Sequence, residues 1–304
     1  MSRAVEFVRN GLRFARQAIQ PGTAGDRAGA RLHIKRRLAL EFLSRFQSEM
    51  TFRRNGFVWT GPVGCTITRA IYLDGRHQDT YIDSLSAWIL PGRPYVVNVG
   101  ANIGDTALPL SRTGRKVLAI EPSPETFARL QNNVRQNAME SKVICCQVAI
   151  SSTEGTAEMV IAEQPGNSEI LGEGGSVGFD GIDRRRQVIS VPTRPLVDVM
   201  ASFGIAPDQV GLVWSDTQGF ESHVIESGAE VWASGTPLWV EVWPPGLACH
   251  GGTDKFVRVC QEHFRRFVPA DRFRETPEPI ASFGAFVAGM EQGGLISDVL
   301  LIPG

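Results

Sequence analysis

The sequence predicts a doubly wound α/β fold, and three observations carry that reading. A short β-branched run, Val96, Val97 and Val99, meets a turn punctuated by Gly100 and Gly104, after which Asp105 and Thr106 open a helix. From Tyr95 onward, strand-like and helix-like stretches alternate in the manner of βαβ units. An acid, Glu121, closes the second strand 21 residues after Gly100. A strand–turn–helix of this kind holds a nucleotide-like ligand at the carboxyl end of the strand, where backbone N–H groups and a helix terminus face it.

The elements follow in order. Of the 304 residues, 42% are hydrophobic and 21% charged, a composition that supports a sizeable core. Residues 1–20 place Val5, Val8, Leu12, Ala15 and Ile19 at helical spacing among Arg3, Arg9, Arg13 and Arg16. This is a basic amphipathic helix, read as an exposed cap or dimer partner ahead of a membrane-surface helix. Pro21, Gly22 and Gly25 end it, and a second helix is predicted over 31–50 with Leu38, Phe42 and Phe46 on one face. From Phe57 the period becomes two, which predicts strands at 57–60 and 66–72, then a helix over 79–90 that stops at Pro91-Gly92. Residues 1–92 thus form a helical arm and small β lead-in, and 93–304 the main domain.

In that domain, the strand at 95–99 leads to a helix over 105–112 and a second strand at 116–121. Ser123-Pro124-Glu125 opens the next helix with a hydroxyl cap, a proline at the first position and an acid in the first turn, and Phe127, Leu130 and Val134 form its buried stripe. A third strand is predicted over 143–149. A strand pair at 156–162 and 187–192 flanks a glycine-rich insertion, 164–183, read as a segment over the site. The alternation resumes with a helix at 194–203, a strand at 210–215, a helix at 219–227 and a strand at 238–243. A last helix over 254–267, with Phe256, Val259, Cys260 and Phe267 inward, precedes a closing strand at 297–302.

Charge is unevenly spread. Residues 1–54 hold 12 Lys/Arg and 4 Asp/Glu, a balance of +8, so the remainder carries −9. A basic arm on an acidic body folds back, pairs with a second subunit as a homodimer, or touches an anionic surface. No aromatic-interleaved basic surface marks a nucleic-acid partner. The five cysteines lack zinc-ligand spacing, and adjacent Cys145 and Cys146 read as small hydrophobes in a buried strand, consistent with a reducing cytoplasm. No run approaches the ~20 apolar residues of a membrane span, and Arg9, Arg13 and Arg16 interrupt any signal-peptide core.

The ligand chemistry narrows at the turn. A dinucleotide site uses G-x-G-x-x-G, whose middle glycine admits a pyrophosphate. Here Asn102 stands in that place, which disfavours a nicotinamide-dependent oxidoreductase. Glu121 is positioned to accept hydrogen bonds from both hydroxyls of a ribose, so the expected ligand is an adenosine without pyrophosphate, S-adenosylmethionine first among them. Asp216 ends a buried strand before a helix, and Glu241 lies in an apolar strand, where a carboxylate is costly unless it is paired or faces a site.

The blocks VVNVGANIGDTA, AIEPSPETFARLQNNV, SDTQGFESHVIESGA and WVEV resemble the FkbM-like family of S-adenosylmethionine-dependent class I methyltransferases over roughly 75–241, together with the closing strand. The resemblance implies a Rossmann-like, mostly parallel seven-stranded sheet whose last strand is antiparallel, and O-methylation of a hydroxyl on a sugar or secondary metabolite. It places Asn98, Gly100, Ala101, Asn102 and Gly104, with Asp105 and Thr106, along the methionine part of the cofactor. Glu121, with Pro122 and Ser123, falls at the ribose, and Gln147, Val148 and Ala149 near the adenine. Two departures stand out: Asn98 replaces a common aspartate, and Thr217-Gln218 replaces valine–glutamate, which removes a carboxylate from the acceptor side and argues against a divalent metal there. A hydroxyl acceptor needs a base, and the candidates are Asp216, Glu241, His223 and His250, the last in a loop suited to an acceptor lid. A methyltransferase of protein or nucleic acid, or a non-catalytic module of the same fold, are the alternatives.

Overall fold

The computed structural model describes residues 24–75, 80–162, 168–172, 187–273 and 275–304. The basic helix expected over 1–20 and most of the glycine-rich insertion lie outside these residues. The lead-in opens with helix α1 (Ala24–Leu43), which starts and ends earlier than the predicted 31–50. The hairpin β1 (Glu49–Arg54) and β2 (Phe57–Pro62) follows, turning on Asn55-Gly56, both at positive φ (49° and 79°). Such a two-residue turn matches the right-handed twist of paired strands, and Asn-Gly adopts it at little steric cost.

Residues predicted as a strand at 66–72 are instead helix α2 (Thr66–Asp74), followed by the short α3 (Thr80–Leu85). The β-branched residues suggested a strand. Burial decided otherwise: Ile67 and Ile71, four apart, both face the core, and Gly75 closes the helix in the left-handed region with its N–H on the Ile71 carbonyl.

The main domain then runs through β3 (Tyr95–Val99), α4 (Ala107–Leu110), β4 (Lys116–Ile120), α5 (Pro124–Gln136), β5 (Val143–Cys146) and β6 (Ala149–Ile150). The third predicted strand is thus split in two, and Cys145 and Cys146 are half-buried rather than enclosed. Ser123 caps α5, its hydroxyl accepting from the Thr126 N–H at 3.5 Å. Next come β7 (Gly155–Ile161), β8 (Glu169–Ile170), β9 (Gln187–Arg194), α6 (Leu196–Ser202), β10 (Val210–Ser215), α7 (Glu221–Ser227) and α8 (Ala229–Ala233). After these come β11 (Leu238–Val242), α9 (Pro244–Ala248), α10 (Gly252–His263), β12 (Arg266–Pro269), β13 (Glu278–Pro279), α11 (Phe283–Gly293) and β14 (Ser297–Ile302). Phe267, expected on the last helix, lies on β12, and α11 is a further helix that the sequence pattern missed.

The central sheet has the order β13-β12-β14-β11-β10-β3-β4-β5. Its five strands from β11 to β5 are parallel, and β14 runs antiparallel between β11 and β12. Seven strands match expectation, and the eighth, β13, is a two-residue edge. A second sheet, β6-β9-β7-β8, contains the predicted antiparallel pair β7 and β9.

Alternation along β3 sends Val97 and Val99 into one core with Trp232 and Phe256, and Val96 into the other with Trp214, Trp239, Ile67 and Ile71. The second core is shared with the lead-in. Polar stitches reinforce it: Asn133 exchanges hydrogen bonds with the backbone of Thr60 (2.8 and 3.0 Å), and Asn137, one turn on, does so with Val58 (2.7 Å each). The Asn133 amide also donates to the Ile103 carbonyl at 2.8 Å, reaching the glycine turn.

Candidate active site

The strand order reverses between β3 and β10, and a crevice opens there at the carboxyl ends of parallel strands. Three backbone links hold the crevice together. The N–H groups of Gly100 and Ala101 both donate to the Ile120 carbonyl (3.0 and 2.9 Å), and Asp216 N–H donates to the Val99 carbonyl at 3.0 Å. They gather Gly100, Glu121 and Asp216 around one open cleft of about 740 Å³. Gly100 is at φ 80°, and a Cβ there would lie 1.8 Å from the Asp216 carbonyl oxygen, so only glycine allows the two turns to meet.

Asn102 takes a left-handed conformation (φ 47°), supplying the geometry a glycine would give. Its N–H donates to Glu121 Oε2 at 3.1 Å, and Ser123 N–H donates to Oε1 at 2.9 Å. Glu121 is therefore braced at both oxygens and still faces the cleft with lone pairs to spare. Burial pushes its pKa up to about 7 against the pull of those two N–H groups.

Of the residues predicted to hold a cofactor, Gly100, Asn102, Asp105, Thr106, Glu121, Pro122, Val148 and Ala149 line the cleft. Ala101 is fully buried, as is Asn98, whose amide nitrogen and oxygen both lack a protein partner. Gly104 packs against Leu108 and Leu130, and a Cβ there would collide with both. Ser123 is spent on the helix cap, and Gln147 is exposed, outside the lining. Ile67, Met159, Ser168, Ile170, Gln218 and Phe220 are among the other lining residues. The sequence offered no signal for Ile67 and Met159, which come from a misread helix and from the second sheet, whereas Ser168 and Ile170 belong to the insertion read as a segment over the site.

Asp216 also lines the cleft. Gln218, itself at φ 57°, bridges two acids: its Nε2 donates to Asp216 Oδ1 at 2.7 Å and to Glu241 Oε2 at 3.0 Å. A left-handed glutamine is strained and persists where the surroundings fix it. Here Gly219 packs against Gly246 of α9 so closely that a Cβ would sit 2.4 Å from the Gly246 carbonyl carbon. Burial, then the neighbouring Asp216 and Glu221, push Glu241 well above the usual carboxylate range. Glu221 is wholly buried beneath the loop, accepting from Thr217 N–H (2.8 Å) and its hydroxyl (2.9 Å), and burial raises its pKa to about 7.

Neither histidine lines the cleft. His223 stacks on Phe220 (ring centroids 4.2 Å apart), and His250 meets the same ring edge-on at 4.9 Å. The loop imagined as an acceptor lid is packed instead: His250 is buried and hydrogen-bonded to the Ile170 backbone, and Gly172 lies against Cys249. Burial, then His223, lowers His250 to about 4, and burial, then Lys255, lowers His223. Among the described residues, no group of three His, Cys, Asp or Glu is placed to hold a metal ion.

These shifts predict a pH dependence. Glu121 and Glu221 hold protons in the folded chain that they release when unfolded, so their stabilisation is full below pH 4.5 and is lost as pH rises through about 7. The depressed histidines oppose this in part as pH falls through their unfolded value of 6.5. Between pH 8 and 6.5 the ligand-free protein is expected to gain about 1–2 kcal/mol as pH falls. Urea midpoints at fixed ionic strength measure this, and a midpoint that falls over that range contradicts it.

A mostly parallel sheet with its last strand reversed inside the edge, and with a glycine turn and an acid at the switch point, defines a class I methyltransferase fold. Residues 98–246 match the Methyltransferase FkbM domain. Methyltransferase sdnD of Sordaria araneosa is 29% identical over 178 residues, covering 51% of this chain and 69% of that relative. The 2-O-methyltransferase NoeI of Sinorhizobium fredii is 29% identical over 153 residues, covering 45% of this chain and 58% of its own length. Among solved structures, geranyl diphosphate methyltransferase in complex with SAM overlays loosely, with a TM-score of 0.42 and 11% identity over 79% of this chain and 90% of that one. Among the described residues, no helix is long and apolar enough to cross a membrane.

Proposed function

We propose that the protein uses S-adenosylmethionine to O-methylate a hydroxyl of a small molecule. The observation that carries this reading is the convergence of Gly100, Glu121 and Asp216 on one cleft. S-adenosylmethionine, when bound, supplies a sulfonium methyl open to in-line displacement. The residues present fit it. Glu121 offers free lone pairs to ribose hydroxyls, Val148 and Ala149 offer an apolar seat for adenine, and Asn102 stands where a dinucleotide turn has its middle glycine. The unpartnered amide of Asn98 under the turn is an orphaned polar group of the kind a bound ligand or water satisfies.

Asp216 is the general base of this reading. Burial and the neighbouring Asp216 hold Glu241 well above the usual carboxylate range, and Gln218 fixes the direction of the Asp216 carboxylate. Asp216 takes the acceptor's proton as its oxygen attacks. His223 and His250, behind Phe220, hold the walls. NoeI, a 2-O-methyltransferase by name, supports a hydroxyl as the acceptor.

Calorimetry with S-adenosylhomocysteine and NADH tests the cofactor. Binding of the first and not the second is expected, and the reverse overturns the reading. Glu121→Gln, which keeps the shape but halves the acceptor capacity, is expected to weaken S-adenosylhomocysteine about 10–100-fold. Unchanged affinity would remove Glu121 from the ribose site.

A further inference from the structure

The outer face of α1, continued by the turn after it, is apolar and uncovered among the described residues. Ile34, Leu38, Phe42 and Phe46, each four residues apart, are 44%, 60%, 63% and 71% exposed. The Phe42 and Phe46 rings lie 5.0 Å apart, so they form one continuous patch. The helix is already anchored by its other side. Leu40 is fully buried against Met50 and Val63, and Glu41 pairs with Arg69 at 2.9 Å. The stripe therefore points away from the body and is no part of its core.

We propose that this face docks on an anionic lipid bilayer. An interfacial helix buries an apolar stripe of Leu and Phe at the headgroup boundary while flanking Lys and Arg reach the phosphates. Exposed Lys35 and Arg45 flank this stripe, and residues 1–54 carry the balance of +8. The remaining residues, at −9, are repelled by the same surface, so the charge separation turns α1 toward the lipid. Like charge disfavours the other occupants. A second copy would set Lys35 and Arg45 near their equivalents, and the preceding residues bring Arg3, Arg9, Arg13 and Arg16.

Sedimentation of the full chain with vesicles tests this. Binding to phosphatidylcholine vesicles with about 30 mol% phosphatidylglycerol is expected to exceed binding to pure phosphatidylcholine at least about tenfold, and to weaken in ~0.5 M salt. The double variant Phe42→Ser, Phe46→Ser is expected to lose that binding while its far-ultraviolet circular dichroism spectrum stays that of the parent. Lys35→Glu with Arg45→Glu is expected to reduce binding in the same direction. Equal binding to both vesicles, binding to neither, or full retention by the serine variant overturns the proposal. A concentration-dependent dimer that the serine variant dissociates assigns the stripe to a second copy and overturns it as well.

Discussion

Asp216→Asn is expected to lower kcat about 10²–10⁴-fold while leaving the affinity for S-adenosylhomocysteine within about threefold. The substitution keeps shape and retains an oxygen for the Gln218 amide, which now sits 2.7 Å from Asp216 Oδ1. The backbone link from the Asp216 N–H to Val99 does not depend on the side chain. What disappears is the capacity to take a proton at the wall of the cleft. Release of S-adenosylhomocysteine under saturating methyl donor measures the effect. A variant that keeps kcat within tenfold would move the base elsewhere, with Glu241, the other acid bonded to Gln218, next in line.

Gly100→Ala is expected to destabilise the fold by about 2–4 kcal/mol and to weaken S-adenosylhomocysteine by at least ~100-fold. Its added carbon would meet the Asp216 carbonyl at 1.8 Å, a backbone atom that moves only if the whole 216–219 turn moves. Gly114→Ala is the control. Gly114 has nearly the same dihedral (φ 81° against 80°), but a Cβ there would meet no atom within 4 Å, so only the conformational cost of about 1–2 kcal/mol applies. Thermal or urea unfolding of the two variants, with calorimetry for binding, separates collision from dihedral strain. Equal losses in both would mean that the strand ends are not packed as described.

Where the sequence read true, the signal was local. The strands at 210–215 and 297–302 coincide with observed strands because each is an apolar run between clear breakers. Gly100 and Glu121 were legible for the same reason, since a glycine turn after a strand and an acid after the next need no knowledge of distant residues. The helix at 66–74 was hidden by Thr66, Ile67, Thr68 and Ile71, whose branched side chains favour strands until burial on one helical face overrules them. Helix Phe283–Gly293 was hidden by Gly284, Gly289 and Gly293, and is sustained by buried Phe283, Val287 and Met290. The far wall of the cleft was legible only as an insertion over the site, without the side chains that reach it. Ile170, Gln218 and Phe220 reach it because segments around 170, 218 and 248 interlock, a relation that exists only in three dimensions.

Asn133 and Asn137 bear on the solubility of the chain. Four helical residues advance roughly 6 Å and two strand residues about 6.8 Å, so amides four apart on α5 match the alternating donors and acceptors of Val58 and Thr60. The helix thereby stands in for a neighbouring strand along the outer rim of the hairpin. An unpaired rim of this kind is a template on which other chains can stack into aggregates. Here it is occupied by the helix that follows Glu121, so the packing of that helix also shields the lead-in from association with other copies.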